Sequence, residues 1–299
     1  MVSAVRGVEI ESRYAEVMGV NTHILSAGDR NGKKLLLIHG VDSNAREAWG
    51  SNIASLAETR RVIAMDLPGF GKSGNPSMAP TMEYFVSFMS NFANAEGTER
   101  ADVVGQSMGG GVAIGYALRN PGAVRTLTVV DPYGLYKIGG VLEHILLMLP
   151  EDVSRLFGHL AFGLGKNNSG RFMETVSSMM AAPTKGRSEE GIREALTTAR
   201  FVESEFTVSE KGGVPHVEFT TDYMGRIKEI GDNGIRSLFI AGGDDPLFSW
   251  MAIRRAAGKV EGSSFVEIKE AGHSPQTDDS VRFNELLAKF LAGEDIYRR

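Results

Sequence analysis

Cysteine is absent from the 299-residue chain, which removes disulfides, thiolate nucleophiles and cysteine-ligated zinc from consideration. H-x-H and H-E-x-x-H spacings are missing as well, so no metal site is expected, and no cofactor is called for. Positive charge is in deficit: 32 Lys and Arg stand against 37 Asp and Glu, for a net charge of -5. With no run of basic residues interleaved with aromatics, a nucleic-acid partner is not expected. Long apolar runs are missing too. The strongest, "VLEHILLMLP", is far too short to span a bilayer, and the opening "MVSAVRGVEIESRY" lacks the apolar stretch of a secretion signal. The expectation is a cytoplasmic protein with no membrane partner and a small-molecule substrate; homo-oligomerisation is left open. Linkers rich in Pro, Gly and Ser, internal repeats and low-complexity tracts are also lacking, which favours one domain carrying an insertion over two independent halves.

What is present is an ordinary globular balance, 42% apolar and 23% charged, arranged in a clear rhythm. Residues 8–25 alternate loosely around a "GV" turn at 19 and 20 and read as two antiparallel strands. The runs "KLLLIHG", "RVIAMDLPG", "ADVVG" and "VRTLTVVD" are short and continuously apolar, as in parallel strands buried on both faces. Between them "NAREAWGSNIASLAE", "TMEYFVSFMSNFANAEG" and "GGGVAIGYALRN" carry helical spacing. Strand and helix in alternation specify an α/β fold with a doubly wound, mostly parallel sheet. From 132 to 226 the alternation stops, and the segment reads as a helical cap rich in Met and Phe. The rhythm returns with "IRSLFIAGGDDP", "SWMAIRRAAGKV", "SSFVEIKEAGH" and "SVRFNELLAKFLAG". The core domain is therefore 1–131 with 227–299.

Gly105, Ser107 and Gly109 form the only G-x-S-x-G match. In a chain with 36 glycines composition alone gives about 0.3 such matches, so the pattern by itself is weak. Its context is what gives it weight: a buried strand ends where it begins, and a helix starts where it stops. A serine at so tight a turn needs glycine two residues to either side, because a side chain there meets neighbouring backbone. The helix N-terminus behind Ser107 favours developing negative charge.

A serine hydroxyl is a weak nucleophile at neutral pH and requires a base and an orienting acid. His273, in "EAGHSPQ", follows the last strand and reaches the same sheet edge as Ser107. Asp245, in "AGGDDPLF", is the favoured acid, with Asp244 as fallback. Asp131, which ends "TVVDPYG", is a further candidate that also reads as an anchor for the chain entering the insertion. His39 reads as structural, and His23, His144, His159 and His216 as surface or satisfied core histidines. "GFGKSG" satisfies G-x-G-x-x-G, but Asn75 and Pro76 follow at once where a helix is needed, so it reads as a loop. Nor is it a P-loop, since the position required to be glycine is Asp66.

Taken in order, "LLLIHG", "DLPGFGKSG", "VVGQSMGGG", "GGDDP" and "AGHSPQ" resemble the α/β-hydrolase family over nearly the whole chain. The resemblance implies a serine hydrolase with the order nucleophile, acid, histidine, here Ser107, Asp245 and His273. It also implies an oxyanion hole built from the backbone N–H groups of Val41 and Met108. "EAWGSNIASLAETRRVIAMDLPGFGKS" is similar to the carbon-carbon bond hydrolases of aromatic catabolism (meta-cleavage product hydrolases), and "SEEGIREALTTAR" to the cap helix in which they carry an arginine for the substrate carboxylate, pointing to Arg200. Those enzymes have a small, glycine-rich oxyanion loop where this chain has "VDSNAR", and usually asparagine where it has Gln106.

The expected activity is hydrolysis of a small, partly apolar ester, as by a carboxylesterase, or of a C–C bond in an activated ketone. The alternatives are a ligand receptor on the same fold, as some plant hormone receptors are, and a cofactor-free perhydrolase. Within the cap, Met148, Met173, Met179, Met180, Phe162 and Phe172 are read mostly as subdomain core, with some lining the cleft.

Overall fold

The structure, a computed structural model, describes residues 2–5, 7–41, 43–76, 78–135, 189–211, 214–245 and 247–296. The expectations for Met148, Phe162, Phe172, Met173, Met179 and Met180, and for His144 and His159, fall outside the described residues.

Among the described residues the central feature is a nine-stranded sheet. Its strands are β1 (Val2–Val5), β2 (Val8–Val17), β3 (Val20–Ala27), β4 (Lys34–Ile38), β5 (Arg61–Met65), β6 (Ala101–Gln106), β7 (Val124–Val130), β10 (Arg236–Gly242) and β11 (Ser264–Ile268). They lie in the order β1-β2-β3-β5-β4-β6-β7-β10-β11. The first three pairings, β1–β2, β2–β3 and β3–β5, are antiparallel, and pairing is parallel from β5 to β11. β2 and β3 join through Met18 and Gly19, both at positive φ (50° and 76°), the backbone of a tight hairpin whose twist matches its strands.

The parallel strands read as continuous apolar runs because both of their faces are covered. α3 (Met82–Ala95) and α4 (Met108–Arg119) bury Phe85, Phe88, Phe92, Val112 and Tyr116 on one face, together with Leu36, Ile63 and Val103. On the other face α1 (Ala45–Trp49), α2 (Ile53–Leu56) and α9 (Ser280–Ala292) bury Trp49, Ile53, Phe283 and Phe290 with Leu35, Val62 and Val104. The segment read as one helical stretch over "NAREAWGSNIASLAE" is thus two short helices, with Gly50 capping the first.

Within 132–226 the described part departs from an all-helical reading. α5 (Glu189–Glu205) runs directly into a hairpin of β8 (Phe206–Lys211) and β9 (Val214–Phe219), in which His216 lies on β9. Alternating residues around Gly212 and Gly213 carry that hairpin signal in the sequence. Glu205, buried at the end of α5, ties this unit to the sheet domain: it accepts hydrogen bonds from Thr221 Oγ1 at 2.6 Å and from the Met82 N–H, the first of α3, at 2.8 Å. A carboxylate is well placed at a helix N-terminus, where backbone N–H groups lack partners. α6 (Lys228–Asp232), α7 (Trp250–Ala257) and α8 (Pro275–Asp278) complete the described helices.

Candidate active site

Ser107 stands between β6 and α4 with φ 54° and ψ -122°, a conformation that costs a non-glycine residue about 1–3 kcal/mol and persists only where the surroundings hold it. The holding contacts are backbone bonds: Ser107 N–H donates to the Val130 carbonyl at 2.9 Å, and its own carbonyl accepts from Tyr133 N–H at 2.9 Å and Gly111 N–H at 3.1 Å. The flanking glycines are required by close approach. A Cβ on Gly105 would lie 2.1 Å from the Gly109 carbonyl oxygen, and one on Gly109 would lie 2.4 Å from the carbonyl oxygens of both Ile38 and His39.

Beside this turn, His273 and Asp245 arrive from loops after β11 and β10. His273 Nε2 lies 2.9 Å from Ser107 Oγ, and Nδ1 lies 2.8 Å from Asp245 Oδ2. An ionised carboxylate only accepts, so Nδ1 carries the proton and Nε2 is left to accept from the serine hydroxyl. Asp245 is buried and its other oxygen accepts from the N–H groups of Leu247 at 2.7 Å and Phe248 at 3.1 Å. The fallback Asp244 is exposed. The Phe248 ring lies tilted against the His273 ring with centroids 5.2 Å apart, which restricts its rotation.

Three further residues complete the surroundings. Gln106, buried at the end of β6, donates from Nε2 to the His273 carbonyl at 2.8 Å. It links the serine turn to the histidine loop, a role that sequence reading missed because its partner is 167 residues away. His39 donates from Nδ1 to the Gly40 carbonyl at 2.6 Å and accepts the Leu67 N–H on Nε2 at 2.9 Å. Full burial holds its pKa below the usual imidazole value, although the Asp66 charge pulls the other way. It is therefore a neutral brace for the loop that leads into Val41. Gly40 packs directly on the serine, since a Cβ there would lie 3.0 Å from Ser107 Cβ; Val41 follows it, and Met108 opens α4.

Asp131 is fully buried at the end of β7, at φ 41°, and both its oxygens face the Gly242 N–H at 3.1 and 3.2 Å. Burial, reinforced by the neighbouring Asp245, pushes its pKa well above the ordinary carboxylate range. Asp131, Asp245 and His273 bring their ligand-type atoms within 4.8 Å of one another, the one such trio among the described residues. The Nδ1 of His273 is already engaged by Asp245, so the trio reads as a hydrogen-bonded cluster.

Other sequence candidates lie elsewhere. His23 is buried between Ser12 Oγ (2.8 Å) and Asp66 Oδ2 (2.7 Å). Asp66 also accepts the N–H groups of Ala45 and Lys72, both at 2.8 Å, and so gathers three segments structurally. "GFGKSG" is a loop with Gly69 and Gly71 at positive φ, covered by α5: a Cβ on Gly69 would meet Thr197. Arg200 is exposed on α5, whereas Thr197, Thr198 and Phe201 are buried.

A family profile described as alpha/beta hydrolase fold matches residues 33–280. The chain is 26% identical over 295 residues to a 2-hydroxymuconate semialdehyde hydrolase of Pseudomonas sp. (strain CF600), covering 93% of this chain and 92% of that one. It is 27% identical over 289 residues to the dihydrolipoyllysine-residue acetyltransferase component of an acetoin cleaving system from Cupriavidus necator, covering 94% of this chain and 69% of the other. The fold is also that of a carboxylesterase of Bacillus subtilis, with TM-score 0.65, 21% identity and coverage of 96% and 93%. No described helix is long and apolar enough to cross a membrane.

Proposed function

The chain belongs to the alpha/beta hydrolase fold family, and from that premise we propose that it is a serine hydrolase acting on a small, partly apolar acyl compound through a Ser107–His273–Asp245 triad. The observation that carries the proposal is the unbroken hydrogen-bond chain from Ser107 Oγ through both His273 nitrogens to Asp245, anchored on a serine whose backbone is held at φ 54°.

In this reading His273 Nε2 takes the hydroxyl proton as Ser107 Oγ attacks the carbonyl carbon. Asp245 holds the ring in the required tautomer and stabilises the imidazolium that forms. The carbonyl oxygen becomes an oxyanion against the N–H groups of Met108 and Val41, a contribution of about 3 kcal/mol per donor. Met108 qualifies as the first residue of α4, where N–H groups have no partner within the helix. His273 then gives its proton to the leaving group. Water, deprotonated by the same nitrogen, hydrolyses the acyl-enzyme and restores Ser107.

Ester hydrolysis needs only these groups. Cleavage of a C–C bond in an activated ketone is the second reading, favoured by the full-length similarity to the semialdehyde hydrolase. Arg200, exposed on α5, lends no support to a substrate-carboxylate clamp there.

A panel of short p-nitrophenyl esters, assayed beside a dienoate ring-cleavage product, separates the two readings. Ser107→Ala is expected to lower kcat on the accepted substrate by about four orders of magnitude. Equal turnover by wild type and Ser107→Ala would remove Ser107 from the chemistry. Turnover of the dienoate alone would select the C–C reading.

A further inference from the structure

We propose that Asp131 and Asp245 form an acid–carboxylate pair holding a single proton, in which Asp131 is the protonated partner that positions Asp245 toward His273 and stands as a latent second acid for the same histidine. The inference rests on the triad reading above and adds to it a carboxyl group that the mechanism does not otherwise use.

The geometry leads to this from two sides. Asp131 and Asp245 are both buried, 0% and 1% exposed, and their carboxyl oxygens lie within 4.8 Å of each other and of a His273 ring nitrogen. Two charges of one sign that close at two buried positions do not both persist, so one carboxyl keeps its proton. The surroundings decide which. Asp245 faces three donors, the N–H groups of Leu247 and Phe248 and the His273 Nδ1–H. Among the described residues Asp131 has one backbone donor, the Gly242 N–H, placed between its two oxygens. The ionised form belongs to the better-solvated partner, and the remaining proton sits on Asp131, where it serves the Asp245 carboxylate.

Among the described residues, the charged and titratable groups around Asp131 come from three elements: Asp245 after β10, His273 after β11, and Asp278 of α8. Asp278 adds a further negative charge and engages one oxygen with the Gly272 N–H at 2.9 Å. None of the three supplies Asp131 with a standing positive charge. Its backbone is also held in the left-handed region, at φ 41°, which an aspartate or asparagine tolerates far better than most side chains.

The latent role follows from proximity. With Asp245 neutralised, the repulsion from its charge is removed while burial still favours the protonated Asp131. As His273 takes up the Ser107 proton, the charge of the imidazolium favours loss of the Asp131 proton to solvent, and the Asp131 carboxylate then stabilises that charge.

The test uses Asp131→Asn, Asp245→Asn, the double variant and Ser107→Ala, each checked for folding by thermal melt. Asparagine keeps the backbone tolerance, the acceptor for Gly242 N–H and a donor toward Asp245. Asp131→Asn is therefore expected to lower kcat/KM by about 3–10-fold, the amide being a weaker donor than a carboxylic acid, with the acid limb of the pH profile unmoved. An ionised Asp131 would instead have been raising the basicity of His273, and its loss would move that limb by about one pH unit or more toward acid.

A lone triad acid changed to its amide costs about 10⁴ in kcat. Here Asp245→Asn is expected to lose about 100-fold, and the double variant about 10⁴. Equal losses in single and double variants, or a shifted acid limb in Asp131→Asn, would overturn the proposal. Infrared difference spectra at neutral pH read the proton without turnover: a protonated carboxyl band present in wild type and Ser107→Ala but absent in Asp131→Asn is expected, and its absence from wild type contradicts the pair. Full activity in Ser107→Ala would instead defeat the triad, while the infrared band would still decide for or against the pair.

Discussion

Replacing Gln106 by leucine removes the side-chain donor that joins the end of β6 to the backbone of the histidine loop while keeping nearly the same volume. The lost bond runs from Nε2 to the His273 carbonyl at 2.8 Å, in a position where Gln106 is 4% exposed. A hydrogen bond of this kind contributes about 0.5–1.5 kcal/mol net, and leaving its buried acceptor unsatisfied costs about 1–3 kcal/mol. The His273 side chain is about one-fifth exposed, so water can reach part of the loop, and a cost of about 1–2 kcal/mol is expected. If the histidine loop carries that whole cost into the transition state, kcat/KM falls by about 5–30-fold, each 1.36 kcal/mol being a factor of ten. The loss should appear mainly in kcat, since the substitution disturbs the base more than the binding surface. Steady-state kinetics on the best p-nitrophenyl ester, with a thermal melt expected to drop by about 2–4 °C, tests this. An unchanged melt together with kcat/KM within twofold would refute the view that Gln106 positions His273.

Three further outcomes follow from the same geometry. Gly109→Ala places a Cβ 2.4 Å from two backbone carbonyl oxygens, a clash that no side-chain movement relieves; a stability loss of about 3 kcal/mol or more in urea titration is expected, and a native midpoint would show that the turn is looser than described. His39 is buried and neutral with its pKa below the usual 6.5, so the unfolded chain binds its proton first as pH falls, and this residue's contribution to stability declines below about pH 6.5 by at most about 1.4 kcal/mol per pH unit. Urea midpoints between pH 7 and 5 should fall less steeply in His39→Gln than in wild type, and identical slopes would show that His39 does not contribute. Arg200→Ala, at an exposed helix position, should shift stability by less than about 0.5 kcal/mol and leave ester and dienoate turnover alike; a selective loss on the carboxylate-bearing substrate would return Arg200 to the site.

The parts of this fold that are legible in the sequence are those written in local pattern. Buried parallel strands announce themselves as short apolar runs: β4, β6 and β7 match theirs to within two residues, while β5 and β10 begin within a residue of theirs and end four residues earlier, before the turn residues. The serine turn is legible for a related reason: Gly105 and Gly109 are demanded by backbone approaches of 2.1 and 2.4 Å, and such crowding leaves a compositional trace. The β8–β9 hairpin is harder to see, because the helical spacing that precedes it masks the alternation on either side of the Gly-Gly pair in the sequence. β1 precedes any periodic pattern long enough to register.

What the sequence could not disclose is proximity between distant segments. Gln106 meets His273 across 167 positions, and Asp131 lies beside Asp245 because β7 and β10 are neighbours in the sheet. Asp131 is recognisable in the sequence as a carboxylate ending a strand. Its role depends on the proton it holds, and that is set by a second carboxylate from another strand.

The central claim is that Ser107 is the nucleophile, and covalent trapping reaches it most directly. The intact protein treated with a fluorophosphonate, digested and mapped by mass spectrometry should carry one adduct, on the peptide containing Ser107, with loss of esterase activity in proportion to labelling. Among the described residues a second serine, Ser12, also lies within hydrogen-bond distance of a histidine, at 2.8 Å from His23, but on a strand with no helix N-terminus behind it. Labelling confined to Ser107 is the predicted result. Complete inactivation with the adduct on Ser12 or elsewhere, or sustained turnover with Ser107 fully modified, would contradict it.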